Sequence, residues 1–321
     1  MKKSSKILIC GGAGYIGGYL TDLLKSKGYN VTVYDNLTYE GRFLKSVPFI
    51  SGDIRDKKKL SQVLKNFDTV IWLAALVGDP ACALQPALSN EINFEATKWL
   101  AENYKGKIVF ASTCSVYGIN HNLIGEEAEP NPLSVYARTK LEAEKAIIKN
   151  SKNYLIFRLG TLFGSGDEHS RIRLDLVVNI LTKKAVSGEL LTITGKEQWR
   201  PLLHVKDVAE AIVFGIKRDI KGLYNLNYKN FRISDIGKEI AKASPGLKVK
   251  YMDLSYEDMR NYRVRSDKFR KYGWKPKYTI KDGIMEIAKV MKENRIKDPD
   301  DKIYSNAATL AVSLNDFKSK K

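Results

Sequence analysis

The feature that most constrains the fold of this chain is a glycine-rich turn that follows a short apolar run. Gly11, Gly14 and Gly17 recur every third residue in GGAGYIG, directly after Lys6–Cys10. In such a turn the first glycine permits a tight bend, the second lets a diphosphate approach the backbone, and the third lets a helix pack close to the strand. The amides at the start of the following helix, Tyr15–Lys27, would then point at phosphates. The spacing predicts a strand–turn–helix unit that binds a dinucleotide.

The first half of the chain alternates short apolar runs with amphipathic stretches. Predicted strands are Lys6–Cys10, Asn30–Tyr34, Phe49–Ile50, Thr69–Ala74, Lys107–Ala111 and Tyr154–Arg158; predicted helices are Tyr15–Lys27, Lys57–Lys65, Ser89–Tyr104 and Ser134–Ile148. The run Thr69–Ala74 is apolar throughout after its threonine, as expected when both faces of a parallel sheet are covered. This alternation predicts an α/β protein with a Rossmann-type, doubly wound parallel sheet.

The second half has a looser pattern. It predicts helices over Leu174–Lys184, Val205–Ile216, Ile233–Ala243 and Ile280–Lys292, a strand over Leu190–Ile193 and a turn at Gly273–Pro276. We therefore expect a coenzyme-binding domain over residues 1–165, to which residues 205–218 return, and a smaller α/β substrate lobe over residues 166–321. The polar tail, residues 294–321, is expected to be poorly ordered at its extremity.

An acidic residue stands where the second strand ends. Asp35 could accept hydrogen bonds from the adenosine ribose and would repel a 2′-phosphate, which favours NAD over NADP. Arg42 could still reach this ribose from the loop. The same strand edge supplies the other predicted coenzyme contacts, namely Tyr15, Ile16, Asn36, Asp53, Ile54, Leu73, Ala74 and Ala75.

A tyrosine and a lysine are placed four residues apart in the predicted helix Ser134–Ile148. This spacing puts Tyr136 and Lys140 on one face, one turn apart. Tyrosine has a reference pKa of about 10, so a neighbouring cation is needed before it can act as a base near neutral pH. The small-residue segment Ala111–Gly118 precedes them and offers hydroxyl groups that could bind a reacting sugar oxygen.

Together these motifs resemble the extended short-chain dehydrogenase/reductase family, in its nucleotide-sugar epimerase/dehydratase branch typified by UDP-glucose 4-epimerase. The resemblance runs from Lys6 to about Ile284 and rests on GGAGYIG, DN, GDI, LAALVGDP, STCSVYG, YARTK, RLGTLFG and RPLLHVKDVA. It implies that Tyr136 is the catalytic base and acid. It also implies that Lys140 lowers the pKa of Tyr136 and binds the nicotinamide ribose, and that Thr113 is the catalytic hydroxyl. The same resemblance adds Asn93, as the asparagine that supports the active-site helix, and Ala111 to the coenzyme site.

The implied chemistry is a transient oxidation of an NDP-sugar at C4 with NAD. Reduction of the ketone on its other face would give a 4-epimerase; its release would give a C4 dehydrogenase. A 4,6-dehydratase is less favoured, because that branch carries an Asp-Glu pair where this chain has Cys114 and Ser115. A non-enzymatic dinucleotide-binding scaffold is the least favoured alternative, because the residues Thr113, Tyr136 and Lys140 are all present.

Arginines of the second half are candidates for holding the substrate. The resemblance assigns Arg200 and Arg260 to the substrate diphosphate, which planar guanidiniums bind well. Surface ion pairs are the alternative interpretation of both. Arg171 and Arg173 lie where the family's chain wraps the base and sugar, and are further candidates.

Composition limits the possible partners and compartment. The chain of 321 residues has 54 Lys and Arg against 36 Asp and Glu, a net charge of +18. We interpret this as a lysine-rich surface or as steering of an anionic small molecule, rather than as nucleic-acid binding. No apolar run approaches the ~20 residues of a membrane span, so no membrane partner is expected. Three widely spaced cysteines indicate a reducing, cytoplasmic setting.

Two further expectations concern metals and assembly. The three histidines have no metal-ligand spacing, so no metal is expected. By the family resemblance, the helices Ser89–Tyr104 and Ser134–Ile148 could form a four-helix bundle in a homodimer.

Overall fold

The computed structural model describes residues 5–167, 169, 171–244, 246–252, 260–293 and 295–318. Its strands are β1 (Lys6–Cys10), β2 (Asn30–Asp35), β3 (Phe49–Ser51), β4 (Thr69–Trp72), β5 (Lys107–Thr113), β6 (Ile119–Ile124), β7 (Tyr154–Leu159), β8 (Thr161–Phe163), β9 (Leu191–Thr194), β10 (Trp199–His204), β11 (Gly222–Leu226), β12 (Lys229–Arg232), β13 (Val249–Met252) and β14 (Asn261–Val264).

The helices alternate with the strands in the first half of the chain. They are α1 (Tyr15–Ser26), α2 (Lys57–Leu64), α3 (Asp79–Leu84), α4 (Pro86–Ser89), α5 (Ala96–Asn103), α6 (Val135–Asn150), α7 (Val177–Val186), α8 (Val205–Lys217), α9 (Ile233–Ala243), α10 (Asp267–Arg270), α11 (Ile280–Lys292) and α12 (Asn306–Lys318). A π-helical segment, Asn90–Glu95, joins α4 to α5, and 3-10 turns occupy Cys114–Tyr117 and Lys302–Tyr304.

A seven-stranded parallel sheet forms the centre of the molecule, with the strand order β11-β7-β5-β4-β1-β2-β3. Alternate residues of β1 are buried on its opposite faces. Ile7 and Ile9 pack in the core that includes α1 and α8, whereas Leu8 and Cys10 pack in the core that includes α5 and α6. Burial of each such aliphatic side chain contributes about 1.5–3 kcal/mol. The predicted doubly wound α/β fold is confirmed.

The chain leaves the main sheet after β7 and later returns to it. Helix α8 packs against α1, and β11 then pairs with β7 at the edge of the main sheet. The segment that returns to the main sheet therefore extends beyond residues 205–218, the range expected from the sequence, and includes β11. Strands β8, β10 and β12 form a small sheet, and α7, α9 and α11 pack around a separate apolar core.

Several element boundaries differ from those expected. The stretch Ser89–Tyr104 is not one α-helix, because its middle, Asn90–Glu95, is π-helical. Helix α7 begins at Val177 rather than Leu174, because the backbone is still extended at Leu176.

The tail contains structure that the sequence pattern did not predict, since α12 packs against α3. The expected disorder of the extremity, residues 319–321, lies outside the described residues. None of the helices in the described residues is both long and apolar enough to cross a membrane.

Candidate active site

The glycine turn after β1 has the geometry that its spacing predicts. Gly11 has a φ of 85°, and a Cβ there would stand 2.4 Å from the Ala74 backbone nitrogen. A Cβ on Gly17 would stand 2.5 Å from the Gly11 carbonyl oxygen, so this glycine allows α1 to approach β1. Gly14 caps α1 without any side-chain hydrogen bond, which leaves the first amides of the helix facing the cleft. This cradle fits the diphosphate of a dinucleotide.

Asp35 ends β2 beside this turn, and local backbone amides fix its carboxylate. The Ala13 amide donates to Oδ2 at 3.0 Å and the Leu37 amide donates to Oδ1 at 2.8 Å. Burial raises the pKa of Asp35, while these backbone hydrogen bonds oppose that rise. The carboxylate lines the cleft and is placed to accept hydrogen bonds from ribose hydroxyls.

One deep cleft runs along the carboxyl edge of the main sheet and gathers nearly all of the predicted coenzyme residues. Its walls include Gly11, Gly14, Tyr15, Ile16, Gly17, Asp35, Asn36, Asp53, Ile54, Leu73, Ala74, Ala75, Ala111, Tyr136 and Lys140. Such a position at the strand ends is where open α/β sheets bind ligands. The residues present therefore fit a dinucleotide coenzyme.

Asn93 is a predicted coenzyme residue that does not line this cleft. Its side chain accepts from the Leu76 amide at 2.8 Å and donates to the Leu76 carbonyl at 2.9 Å. It also lies 3.3 Å from the Thr139 hydroxyl on α6. Because Leu76 lines the cleft, Asn93 acts by fixing the wall and joining it to α6.

Thr113 and Tyr136 meet through their side-chain hydroxyl groups in the same cleft as Asp35. Thr113 ends β5, and its hydroxyl also accepts from the Ser115 amide at 3.1 Å. Burial raises the pKa of Tyr136 well above its usual value. The positive charge of Arg173 and a hydrogen bond with the Thr113 side chain act in the opposite direction. Thr113 and Tyr136 therefore form a buried pair of hydroxyl groups that is exposed to the positive charge of Arg173.

Lys140 stands on the same helix and is deeply buried. Its Nζ lies 4.0 Å from the centroid of the Phe110 ring. Burial lowers its pKa to about 7, while the carboxylate of Glu144 raises it. The expected effect of Lys140 on the pKa of Tyr136 stays a prediction. The positive charge of Arg173 lowers this pKa in the structure.

A buried polar network that sequence reasoning missed lies behind Lys140. Glu144, one helical turn further along α6, forms an ion pair with Arg158 at 2.7 Å and accepts from the Ser112 hydroxyl. Arg158 also donates to the Tyr117 hydroxyl at 2.9 Å. This network joins β5, α6 and β7 beneath the site. Arg158 begins the RLGTLFG motif, but no local pattern connects it with Glu144.

The two arginines assigned to the substrate occupy different positions. Arg260 lines the cleft and forms an ion pair with Asp79 at 3.0 Å. Arg200 does not line it, because its guanidinium donates to the carbonyls of Trp199, at 3.0 Å, and of Arg260. Contact of Arg200 with a substrate stays a prediction; in this structure it supports the backbone of Arg260.

Arg173 and Arg171 both line the cleft from the second half of the chain. Arg173 forms a two-pronged ion pair with Asp175, with distances of 2.9 and 3.0 Å. Arg171 lies over the ring of Tyr39, and Asn306 completes this part of the wall. Sequence reasoning named neither Tyr39 nor Asn306, since no local pattern marks them.

The fold and the cleft define a dinucleotide-binding α/β enzyme, and comparisons with known proteins specify its family. Residues 7–226 match the model of the NAD dependent epimerase/dehydratase family. The UDP-glucose 4-epimerase of Lactobacillus helveticus is 28% identical, over 92% of this chain and 100% of its own length. This chain belongs to the NAD-dependent epimerase/dehydratase family, as the sequence motifs indicated.

Solved structures agree with this assignment. The complex of Thermus thermophilus UDP-glucose 4-epimerase with NAD is 25% identical, with a TM-score of 0.78, over 89% of this chain and 99% of that one. The complex of Bacillus cereus UDP-glucuronic acid 4-epimerase with UDP-glucuronic acid and NAD is 26% identical, with a TM-score of 0.77, over 90% and 99%. The protein is therefore an NAD-dependent enzyme.

Proposed function

We propose that this protein is a nucleotide-sugar 4-epimerase that acts by transient oxidation of its substrate at C4. The observation that carries the proposal is the buried hydroxyl pair of Thr113 and Tyr136 in the same cleft as the glycine turn and Asp35. The named activities of the Lactobacillus helveticus, Thermus thermophilus and Bacillus cereus proteins support it.

In this proposal the bound coenzyme supplies a hydride acceptor that returns the same hydride. Tyr136 takes the proton from the C4 hydroxyl and later returns it to the ketone oxygen. Thr113 holds that oxygen by a hydrogen bond, since its hydroxyl already lies beside that of Tyr136. The positive charge of Arg173 favours the phenolate and so makes proton removal easier. Lys140 would hold the nicotinamide ribose.

We assign the grip on the substrate's diphosphate to Arg260, with Arg200 behind it. Arg260 lines the cleft close to Ser115, to whose hydroxyl it donates at 3.3 Å. The substrate would then lie between the coenzyme-binding domain, residues 1–165, and the lobe of residues 166–321. Epimerisation then requires that the ketone be reduced on its other face.

A C4 dehydrogenase that releases a 4-keto sugar is the second candidate. It uses the same Tyr136 and Thr113 and differs only in the fate of the ketone. A 4,6-dehydratase is disfavoured, because Cys114 donates to the Arg158 carbonyl at 3.2 Å and Ser115 lies 3.3 Å from the Tyr262 hydroxyl. Neither residue is a carboxylate, and the carboxylates among the described residues that line the cleft are Asp35, Glu40 and Asp53.

The test is incubation of the purified enzyme with a panel of UDP-, dTDP-, GDP- and CDP-sugars, with product analysis by NMR. The proposal expects interconversion of C4 epimers with no net rise in absorbance at 340 nm. Accumulation of NADH in step with a ketone product would instead establish the dehydrogenase.

Two variants separate chemistry from binding. Tyr136→Phe should lower turnover by about 10²–10⁴-fold while NAD binding is kept, because only the proton-transferring hydroxyl is removed. Ser61→Ala, on the half-buried face of α2, removes a hydroxyl that does not line the cleft and is the control. Near-normal turnover by Tyr136→Phe would exclude this mechanism.

A further inference from the structure

Three segments that are distant in sequence meet along one wall of the coenzyme cleft. Tyr39 lies in the loop after β2, Arg171 precedes α7, and Asn306 begins α12. The Arg171 guanidinium lies 4.1 Å from the centroid of the Tyr39 ring. Its Nη1 donates to Asn306 Oδ1 at 2.5 Å, and its Nη2 donates to the Ile303 carbonyl at 3.1 Å.

Arg171 is a buried cation whose direct partners are neutral. The residue is only 6% exposed, and no carboxylate of a described residue lies within ion-pair distance of it. Its Nε and the Tyr39 hydroxyl are both buried without a hydrogen-bond partner. Asp175 and Glu40 act on Arg171 only from longer range, and burial and the neighbouring Arg173 lower its pKa to about 10. Because an uncompensated buried charge is costly, this arrangement favours an anion in the cleft.

Asn306 holds this wall together from the C-terminal segment. Its Nδ2 donates to the Val77 carbonyl at 2.7 Å, and its amide donates to the Asp175 carboxylate at 3.0 Å. Leu310, one turn later, is buried against Leu76 and Cys82. The segment therefore joins the loop after β4 to the Arg171 side of the cleft. The match to the family model ends at residue 226, well before it.

We propose that Arg171 and Tyr39 bind a phosphate oxygen of the coenzyme's diphosphate, and that Asn306 fixes Arg171 so that the three residues slow coenzyme release. Tyr39 belongs to the loop that follows Asp35, and it packs in the same apolar cluster as Tyr136. The pair therefore lies along the part of the cleft between Asp35 and the Thr113–Tyr136 pair, where the coenzyme's diphosphate would lie. This position favours the diphosphate of the coenzyme over that of the substrate. The coenzyme's diphosphate would thus be bound by the glycine turn on one side and by Arg171 and Tyr39 on the other.

Slow release has a use in the reaction proposed above. An enzyme that reduces the ketone it has just formed needs the reduced coenzyme to stay bound between the two steps. The inference itself depends only on NAD binding, so it can succeed or fail whichever sugar the enzyme converts.

The experiment measures how fast NADH leaves the whole protein. The enzyme is loaded with NADH and mixed with excess NAD, and the decay of bound-NADH fluorescence gives the dissociation rate constant. Arg171→Met should raise this constant by about tenfold or more, because a charge-assisted contact is lost. Tyr39→Phe should raise it about threefold, and Asn306→Ala by an intermediate factor. Arg171→Lys, which keeps the charge, should restore part of the loss.

Arg218→Met is the matched control, because Arg218 also lies over a ring, that of Phe214 at 4.7 Å, but outside the cleft. Its rate constant should stay within about twofold of the unchanged protein. UDP affinity, measured by calorimetry on the same variants, should also change by less than about twofold. An unchanged NADH rate constant in both Arg171→Met and the conservative Tyr39→Phe would overturn the proposal. So would weakened binding that is confined to UDP.

Discussion

The Nζ of Lys140 lies 4.0 Å from the centroid of the Phe110 ring, in a fully buried part of α6. This placement lowers the pKa of the lysine to about 7, against the opposing effect of Glu144. In the coenzyme-free protein the side chain therefore changes charge near neutral pH. Burying the charged form destabilises the fold, and this destabilisation depends on pH.

Replacement of this lysine should therefore stabilise the coenzyme-free protein. Below pH 7 both folded and unfolded states carry the charge, and Lys140→Met should raise the free energy of unfolding by about 1–3 kcal/mol. Between about pH 7 and 10 only the unfolded state stays protonated, so the native protein gains stability and the difference shrinks. Denaturant unfolding at pH 6, 8 and 10 measures it. A difference that grows with pH would contradict this reasoning.

Glu286, unlike Lys140, should stabilise the folded protein in its charged form. Its carboxylate accepts hydrogen bonds from Ser165, forms an ion pair with Lys206 at 2.6 Å and lies 3.1 Å from His204 Nε2. Burial alone would raise the pKa of Glu286, but these partners lower it to about 2. Its carboxylate therefore stabilises the fold above about pH 4.5, and this stability is lost as the pH falls towards 2. Glu286→Gln should cost about 2 kcal/mol at pH 7 and little at pH 2.5.

Unfolding curves at both pH values provide this measurement. Glu293→Gln is the matched control, because Glu293 follows the same helix and is exposed. It should change stability by less than about 0.5 kcal/mol. An equal cost of Glu286→Gln at both pH values would refute the assignment.

The buried pair of Glu144 and Arg158 should behave as a unit. Glu144→Gln leaves the Arg158 charge buried without its carboxylate and should lower the free energy of unfolding by about 3–5 kcal/mol. The double variant Glu144→Gln/Arg158→Met should recover much of this loss. A double-mutant cycle measured by urea unfolding tests the coupling, and simple additivity of the two changes would show that the pair does not act together.

Asp35 should determine which dinucleotide binds. Asp35→Ser removes the carboxylate that the Ala13 and Leu37 amides fix at the end of β2. NAD affinity should fall by about tenfold or more, and NADP affinity should rise relative to it, because a 2′-phosphate is no longer repelled. Fluorescence titration with NADH and NADPH measures both. An unchanged ratio of the two affinities would show that the adenosine ribose does not bind beside Asp35.

Local spacing was sufficient to predict the part of the site that is built from single elements. Gly11, Gly14 and Gly17 lie in one turn, Asp35 ends one strand, and Tyr136 and Lys140 share one helix. The resulting expectations for the fold, the family and NAD were confirmed. Roles of individual residues, the domain division, the homodimer and the cytoplasmic setting stay predictions.

The remainder depends on contacts between distant parts of the chain. Arg171 meets Asn306 across 135 positions, and Glu144 meets Arg158 from a helix to a strand. No periodicity encodes such pairs, because each residue alone has the appearance of a surface charge or a polar helix position. Arg200 is the opposite case. The motif around it predicted a contact with the substrate diphosphate, whereas in the structure its guanidinium donates to backbone carbonyls.

In the proposed mechanism Tyr136 removes the proton of the C4 hydroxyl, and bound NAD would accept the C4 hydrogen as hydride and return it. The most direct test uses a UDP-sugar substrate labelled with deuterium at C4, with the products analysed by NMR. The mechanism predicts that the epimer formed keeps its deuterium at C4 in ordinary water, and that Tyr136→Phe forms almost none of it. Loss of the deuterium to solvent would contradict the mechanism, because the hydrogen would then have left as a proton.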